Sequence, residues 1–168
     1  MIKSGKVFIY GRNALFEALT SNPKSVKKVY VTDTPANKEI LSLLKKSDIQ
    51  YEITKEKQGA EKRSEQGIIA NIDTNGLFQS VETFFKKTKI TPDTGIIVLD
   101  GINDPHNVGA IIRSAVAFGA SAVLIPEKGV SSITSGVISS SAGMTFKIPL
   151  LRATTAFDGL LDAEYLMS

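Results

Sequence analysis

Ile96-Ile97-Val98-Leu99-Asp100-Gly101-Ile102-Asn103-Asp104-Pro105-His106-Asn107-Val108-Gly109-Ala110-Ile111-Ile112-Arg113-Ser114-Ala115-Val116-Ala117-Phe118-Gly119 is the stretch whose reading decides the fold. Its first four residues are continuously apolar, the mark of a strand covered on both faces of a parallel sheet. A polar loop follows at the strand's C-terminal end. Asn107 to Phe118 then reads as a helix. Asn107 is placed to cap it, Val108, Ile111, Ile112, Ala115 and Phe118 supply an apolar stripe, and Gly119 stands in the C-cap position. Ala122-Val123-Leu124-Ile125 is a second buried strand, stopped by Pro126. The whole is a βαβ unit, for which a right-handed connection is expected. Open α/β sheets bind ligands at the C-terminal ends of their strands, so loop 100–107 and the stretch 126–132 are the places to look.

Downstream, Ser131, Ser132, Ser135, Ser139, Ser140 and Ser141 form a serine-rich tract. Ile133, Val137 and Ile138 are interleaved with them, which favours a short helix with a buried face over a low-complexity linker. Phe146-Lys147-Ile148-Pro149-Leu150 reads as a strand and Ala153 to Leu161 as a helix. Upstream, Asp73-Thr74-Asn75-Gly76 is a turn, and Ser80 to Lys87 can form one amphipathic helix. The basic run Lys86-Lys87-Thr88-Lys89 then leads to Thr91-Pro92-Asp93-Thr94-Gly95. Residues 76–94 are therefore expected to link two domains, 1–75 and 95–168.

In the first domain, Val7-Phe8-Ile9-Tyr10, Val26 to Thr32, Gln50 to Thr54 and Gly67 to Ile72 read as strands. Asn13 to Leu19 and Asn37 to Lys46 read as helices, and the highly charged Lys55 to Gln66 reads as a short helix plus loop. Such a unit of about seventy residues is a small α/β sandwich.

The chain has 168 residues, 42% hydrophobic and 22% charged, a globular composition. No apolar run reaches the length of a membrane span, and the lysine-bearing start is not followed by a signal-peptide core. There is no cysteine, which rules out disulfides and thiolate metal sites; no metal is expected, and a cytoplasmic setting is. The net charge is +3. Residues 1–75 hold 13 Lys and Arg against 9 Asp and Glu, whereas residues 95–168 hold 4 against 6. A basic front half suits a nucleic-acid binder, although charge alone favours an ordinary solvated surface.

The stretch Leu99 to Ala115, followed by Phe118-Gly119-Ala120, resembles motif 1 of the SpoU/TrmH family of RNA ribose 2′-O-methyltransferases, with the pattern D-P-x-N-x-G-x-x-x-R-x-A-x-x-F-G. Tyr10-Gly11-Arg12-Asn13-Ala14 resembles the opening of that family's N-terminal substrate-binding domain, and Glu65-Gln66-Gly67-Ile68-Ile69-Ala70 its closing strand. Ser140-Ser141-Ala142-Gly143 resembles the S-x-G segment beyond motif 1. The resemblance implies an α/β chain with a small L30e-like substrate-binding domain, followed by an incomplete SPOUT-type (α/β knot) parallel-sheet domain. It implies S-adenosylmethionine as methyl donor, a ribose of RNA, most similarly ribosomal RNA, as acceptor, and a homodimer in the family.

Carried onto this sequence, the resemblance makes Arg113 and Asn107 the catalytic residues. It makes Arg12, Asn13 and Arg113 the RNA-binding ones. A guanidinium can clamp a phosphate and favour ionisation of a nearby hydroxyl; on position alone, Arg113 would be a surface arginine on a helix. Asn107 reads structurally as a cap, and both roles are compatible. Asp104-Pro105 shapes the loop, Gly109 allows close backbone approach, and His106, the only histidine, reads as loop packing rather than as a base.

The family's motif 2, with a G-x-E-x-x-G core, and motif 3, with an S-L-N-V-S core, do not occur in these 168 residues. The resemblance assigns to them most of the cofactor pocket, the knot and much of the dimer interface. No residue is therefore assigned to the cofactor, and the expectation is that this polypeptide alone binds S-adenosylmethionine weakly or not at all. Two other readings stand beside the enzyme: a non-catalytic RNA-binding α/β module, and a generic nucleotide-binding domain. The last is disfavoured by the lack of G-x-G-x-x-G or a P-loop.

Overall fold

The computed structural model describes residues 5–54 and 67–167. The expected helix and loop at Lys55 to Gln66 lie outside them, as do Glu65 and Gln66 of the closing match. The chain divides into two units, residues 1–76 and 77–168.

The first unit is a four-stranded sheet with helices between its strands. It comprises β1 (Lys6–Tyr10), α1 (Arg12–Ser21), β2 (Val26–Thr32), α2 (Lys38–Lys46), β3 (Gln50–Thr54) and β4 (Ile68–Asp73). The order is β1-β4-β2-β3, with β4 antiparallel to β1 and β2, and β2 parallel to β3. Alternation along β4 buries Ile68, Ala70 and Ile72 completely, against Val29 and Val31 of β2 and the buried faces of the two helices. Asn37, fully buried before α2, donates through Nδ2 to the Thr32 carbonyl at 3.0 Å and so fixes how the chain leaves β2.

The second unit contains β5 (Phe78–Ser80), α3 (Val81–Lys87), β6 (Ile96–Val98), α4 (Pro105–Ala117), β7 (Ala122–Leu124), α5 (Ser135–Ser140), β8 (Leu150–Arg152) and α6 (Ala156–Met167). All four strands are parallel, in the order β5-β8-β7-β6. The residues expected to be a linker at 76–94 are thus an edge strand and a covering helix of this unit. Ser80 accepts from the Thr83 amide at 3.1 Å to cap α3. Val81 and Phe84 of α3 join Ala122, Leu124 and Leu151 in one buried cluster. The reason is physical: a three-residue strand hydrogen-bonded along one side needs no long apolar run, and α3 needs only two large residues per two turns to seat itself.

Chain direction sorts the helices. From β6 to β7 to β8 the chain moves one way across the sheet, and α4 and α5 lie against one another. From β5 to β6 it moves the other way, and α3 lies with α6. Right-handed crossovers require opposite faces for opposite directions of travel. Side-chain alternation agrees: Ala122, Leu124 and Leu151 meet α3 and α6, leaving Val123 and Leu150 for α4 and α5.

Two elements begin later than the sequence suggests. Phe146 to Leu150 is not a strand; Met144–Phe146 is a turn of 3-10 helix behind Gly143, whose φ of 82° suits glycine, and β8 starts only after Pro149, which has no amide to donate. Helix α6 likewise begins at Ala156 rather than Ala153, because Ala153 and Thr154 still accept ladder bonds from Glu127 and Lys128 at 2.9 and 3.3 Å.

Candidate functional site

Helix α4 carries the candidate residues Asn107 and Arg113, and its start differs from expectation. The cap is Asp104, not Asn107: Asp104 Oδ1 accepts from the His106 amide at 2.9 Å, and Pro105 occupies the first helical position. Proline there sacrifices no bond and presets φ, so it moves the helix start two residues upstream. Asn107 becomes the third helical residue, its side chain exposed and free of the cap role. At the other end, the Gly119 amide donates to the Val116 carbonyl at 3.2 Å and the Ala120 amide to that of Ala115 at 2.9 Å, the paired closure of a Schellman motif. Phe118, expected in the apolar stripe, is 90% exposed, because the chain has already turned out of the helix there.

Val108, Ile112 and Ala115 are the buried face, and Gly109 faces α5. A β-carbon at Gly109 would collide with the Ser140 hydroxyl and stand 2.5 Å from the Val137 carbonyl oxygen. The close approach expected of this glycine is therefore between two helices. Ser140 is held there by donating to the Gly136 carbonyl at 2.8 Å, with the Pro105 carbonyl at 3.5 Å.

His106, Asn107, Ala110, Arg113, Ser114 and Ala117 are exposed. At about 3.6 residues per turn they occupy about a third of the helix circumference, with Asn107 and Arg113 at its two margins, about 9 Å apart along the axis. Neither side chain bonds to a described residue. His106, expected to pack in the loop, stands exposed on the same margin as Arg113. Small Ala110 and Ala117 leave the backbone between the polar groups open to a large ligand.

The C-terminal edge of the sheet collects the loops expected to matter. The Leu99 amide donates to the Leu124 carbonyl at 3.0 Å, that of Ser131 to Ile102 at 2.9 Å, and that of Ile125 to Leu151 at 2.9 Å. Loop 99–104 and the segment 125–134 are thereby sewn together. Above Gly101, φ 70°, lies open space, and Gly129 borders it. Among the described residues no group of three or more His, Cys, Asp and Glu side chains could hold a metal ion, and no helix is long and apolar enough to cross a membrane.

In the first unit, Arg12 opens α1, and its Nη1 donates to the Ala36 carbonyl at 2.9 Å. It therefore braces the loops after β1 and β2 against each other, a structural engagement the sequence did not disclose. Asn13 beside it is exposed.

Two α/β units, the second an all-parallel sheet with its polar loops gathered at one edge, define a two-unit α/β protein. The SpoU rRNA Methylase family matches residues 95–164, and the family described as RNA 2′-O ribose methyltransferase substrate binding matches residues 8–76. The chain belongs to the SpoU rRNA methylase family. It is 30% identical over 152 residues to the 23S rRNA (guanosine-2′-O-)-methyltransferase RlmB of Coxiella burnetii, covering 87% of this chain and 60% of that one. It is 31% identical over 153 residues to the RlmB of Blochmanniella floridana, with 87% and 60% covered. Among solved structures, the SpoU methyltransferase AviRb from Streptomyces viridochromogenes, in complex with AdoMet, superposes with a TM-score of 0.74 at 18% identity, covering 97% of this chain and 60% of that one. The chain spans 60 to 61% of the length of the curated relatives it matches over most of its length.

Proposed function

We propose that this chain serves S-adenosylmethionine-dependent 2′-O-methylation of an RNA ribose, in ribosomal RNA, in the cytoplasm. The observation that carries the reading is α4. Its motif residues Asn107 and Arg113 stand exposed, without a bond to any described residue, on one helix held by the Asp104 cap, the Gly119 closure and the Gly109 contact with α5.

A ribose hydroxyl is a weak nucleophile, so the protein must align it and favour loss of its proton. Arg113 is the catalytic residue. Its guanidinium binds the phosphate next to the target ribose through two parallel N–H bonds and stabilises the oxyanion that develops on the hydroxyl. Asn107, at the other margin, orients the nucleotide through its amide, which can both donate and accept. The first unit, with Arg12 and Asn13, holds the RNA. The cofactor supplies an activated methyl group. No described residue is assigned to hold it.

The test is incorporation of labelled methyl groups into ribosomal RNA by the chain and by Arg113→Ala. Incorporation by the wild type and its loss in the variant support the proposal. Equal incorporation by both sinks it. RNA binding without incorporation in either favours the alternative, a non-catalytic RNA-binding module, for which the basic excess in residues 1–75 speaks.

A further inference from the structure

Arg152 is the last residue of β8, half-buried where the strand leaves the sheet. Its guanidinium carbon lies 3.7 Å from the centroid of the Phe78 ring on the neighbouring strand β5. Phe78 and Arg152 are diagonal neighbours, since Phe78 pairs with Leu150 and Ser80 with Arg152. A guanidinium held over a ring face at this distance is steadied by it, and its N–H donors remain available to an oxyanion.

Those donors are in fact unused. Arg152 has no hydrogen bond or ion pair with any described residue. The acid nearest in sequence, Asp158, is spent on Thr155, accepting from its amide at 3.1 Å and its hydroxyl at 2.7 Å. The Arg152 nitrogens are not among the buried side-chain atoms that lack a partner, so the donors reach solvent and are open to an external acceptor.

Location gives the second argument. Arg152 stands at the C-terminal edge of a parallel sheet, the side on which such sheets receive ligands. The adjoining segment is hydrogen-bonded to it: the Glu127 amide donates to Ala153 and the Lys128 amide to Thr154. Lys128, exposed, is therefore a second cation beside the same rim. Two cations on adjacent, mutually bonded segments suit a chain of phosphates better than a single small anion.

We propose that Arg152, steadied by Phe78, binds a backbone phosphate of the RNA substrate. The inference rests on the reading of that edge as the ligand side, and it does not depend on Arg113.

The test measures binding of a single-stranded RNA oligonucleotide to the 168-residue chain across a salt series. Arg152→Gln is expected to weaken binding about tenfold or more and to lower the slope of log affinity against log salt by about one. Phe78→Leu, which keeps the charge and frees the guanidinium, should weaken binding less and leave the slope unchanged. Arg152→Lys should restore the slope but not the full affinity, since it lacks the fork. Melting temperatures within the error of wild type exclude unfolding as the cause. Unaltered RNA binding by Arg152→Gln overturns the proposal, as does a wild-type chain that does not bind the oligonucleotide. Weaker binding of S-adenosylmethionine alone, with RNA binding intact, overturns the phosphate assignment. Loss of methylation in Arg113→Ala leaves this inference untouched, and its failure leaves the proposed activity untouched.

Discussion

The missing side chain of Gly109 is occupied by Ser140: a β-carbon on the first would fall on the hydroxyl of the second. The two helices meet there backbone to backbone. Behind Ser140 stand the Val137 carbonyl oxygen at 2.5 Å and the Ser141 amide nitrogen at 2.9 Å from the same point, neither of which can rotate away.

Gly109→Ala should therefore destabilise the second unit. Alanine is the better helix former by about 1 kcal/mol, but overpacking against backbone costs about 1–3 kcal/mol, and the steric cost is expected to win. Urea denaturation checks it, and an unchanged or higher midpoint contradicts it. Gly159 offers the contrast. A β-carbon there meets chiefly the Leu124 methyl groups, the far end of a side chain that can rotate, and touches the fixed Ala153 β-carbon only at 3.1 Å. Gly159→Ala should cost less than Gly109→Ala.

Stability and function should separate between the cap and its neighbour. Asp104→Ala removes the side chain that holds the His106 amide and should cost about 1 kcal/mol of stability. Asn107→Ala touches no described partner and should cost less than about 0.5 kcal/mol, while abolishing most methyl transfer. Thermal melts and methylation assays of the two variants give opposite orders. A large loss of stability in Asn107→Ala would restore it to the cap role.

Glu82 titrates below its ordinary value of 4.5, chiefly because Lys86 hydrogen-bonds its carboxylate one turn on. A carboxylate whose folded pKa is depressed adds stability above its unfolded pKa, and that contribution fades as pH falls through the folded value. The helix α3 pair should thus act fully at neutral pH and weaken below about 4.5. Both groups are exposed, so the effect is small and screened by salt. NMR titration should show the Glu82 midpoint rising in Lys86→Gln; an unmoved midpoint rejects the pairing.

Much of the architecture is legible in the sequence. The runs Val26–Thr32 and Gln50–Thr54 are strands to the residue, and the Ile96-to-Ile125 unit has its expected order. These elements bury continuous or alternating apolar residues, which periodicity reports. What escaped was set by partners distant in sequence. Phe78-Gln79-Ser80 is a strand only because β8 lies beside it. Phe118 looks like core by its spacing and is solvent-exposed by its turn. Asn107 and Asp104 are both good caps, and only the proline between them decides which is used. Asn107 and Arg113 were candidates through the motif, whereas Arg152 drew no notice, because its contact with Phe78 joins residues more than seventy positions apart.

The edge strand β5 bears on how this protein can be taken apart. A fragment cut at Gly95, where the match to the methylase family begins, would leave β8 with an unpaired flank of amides and carbonyls. It would also strip the covering helix from Leu124 and Leu151. Bare flanks of that kind recruit strands from other molecules, so such a fragment should precipitate, whereas one cut after Gly76 carries its own selvedge.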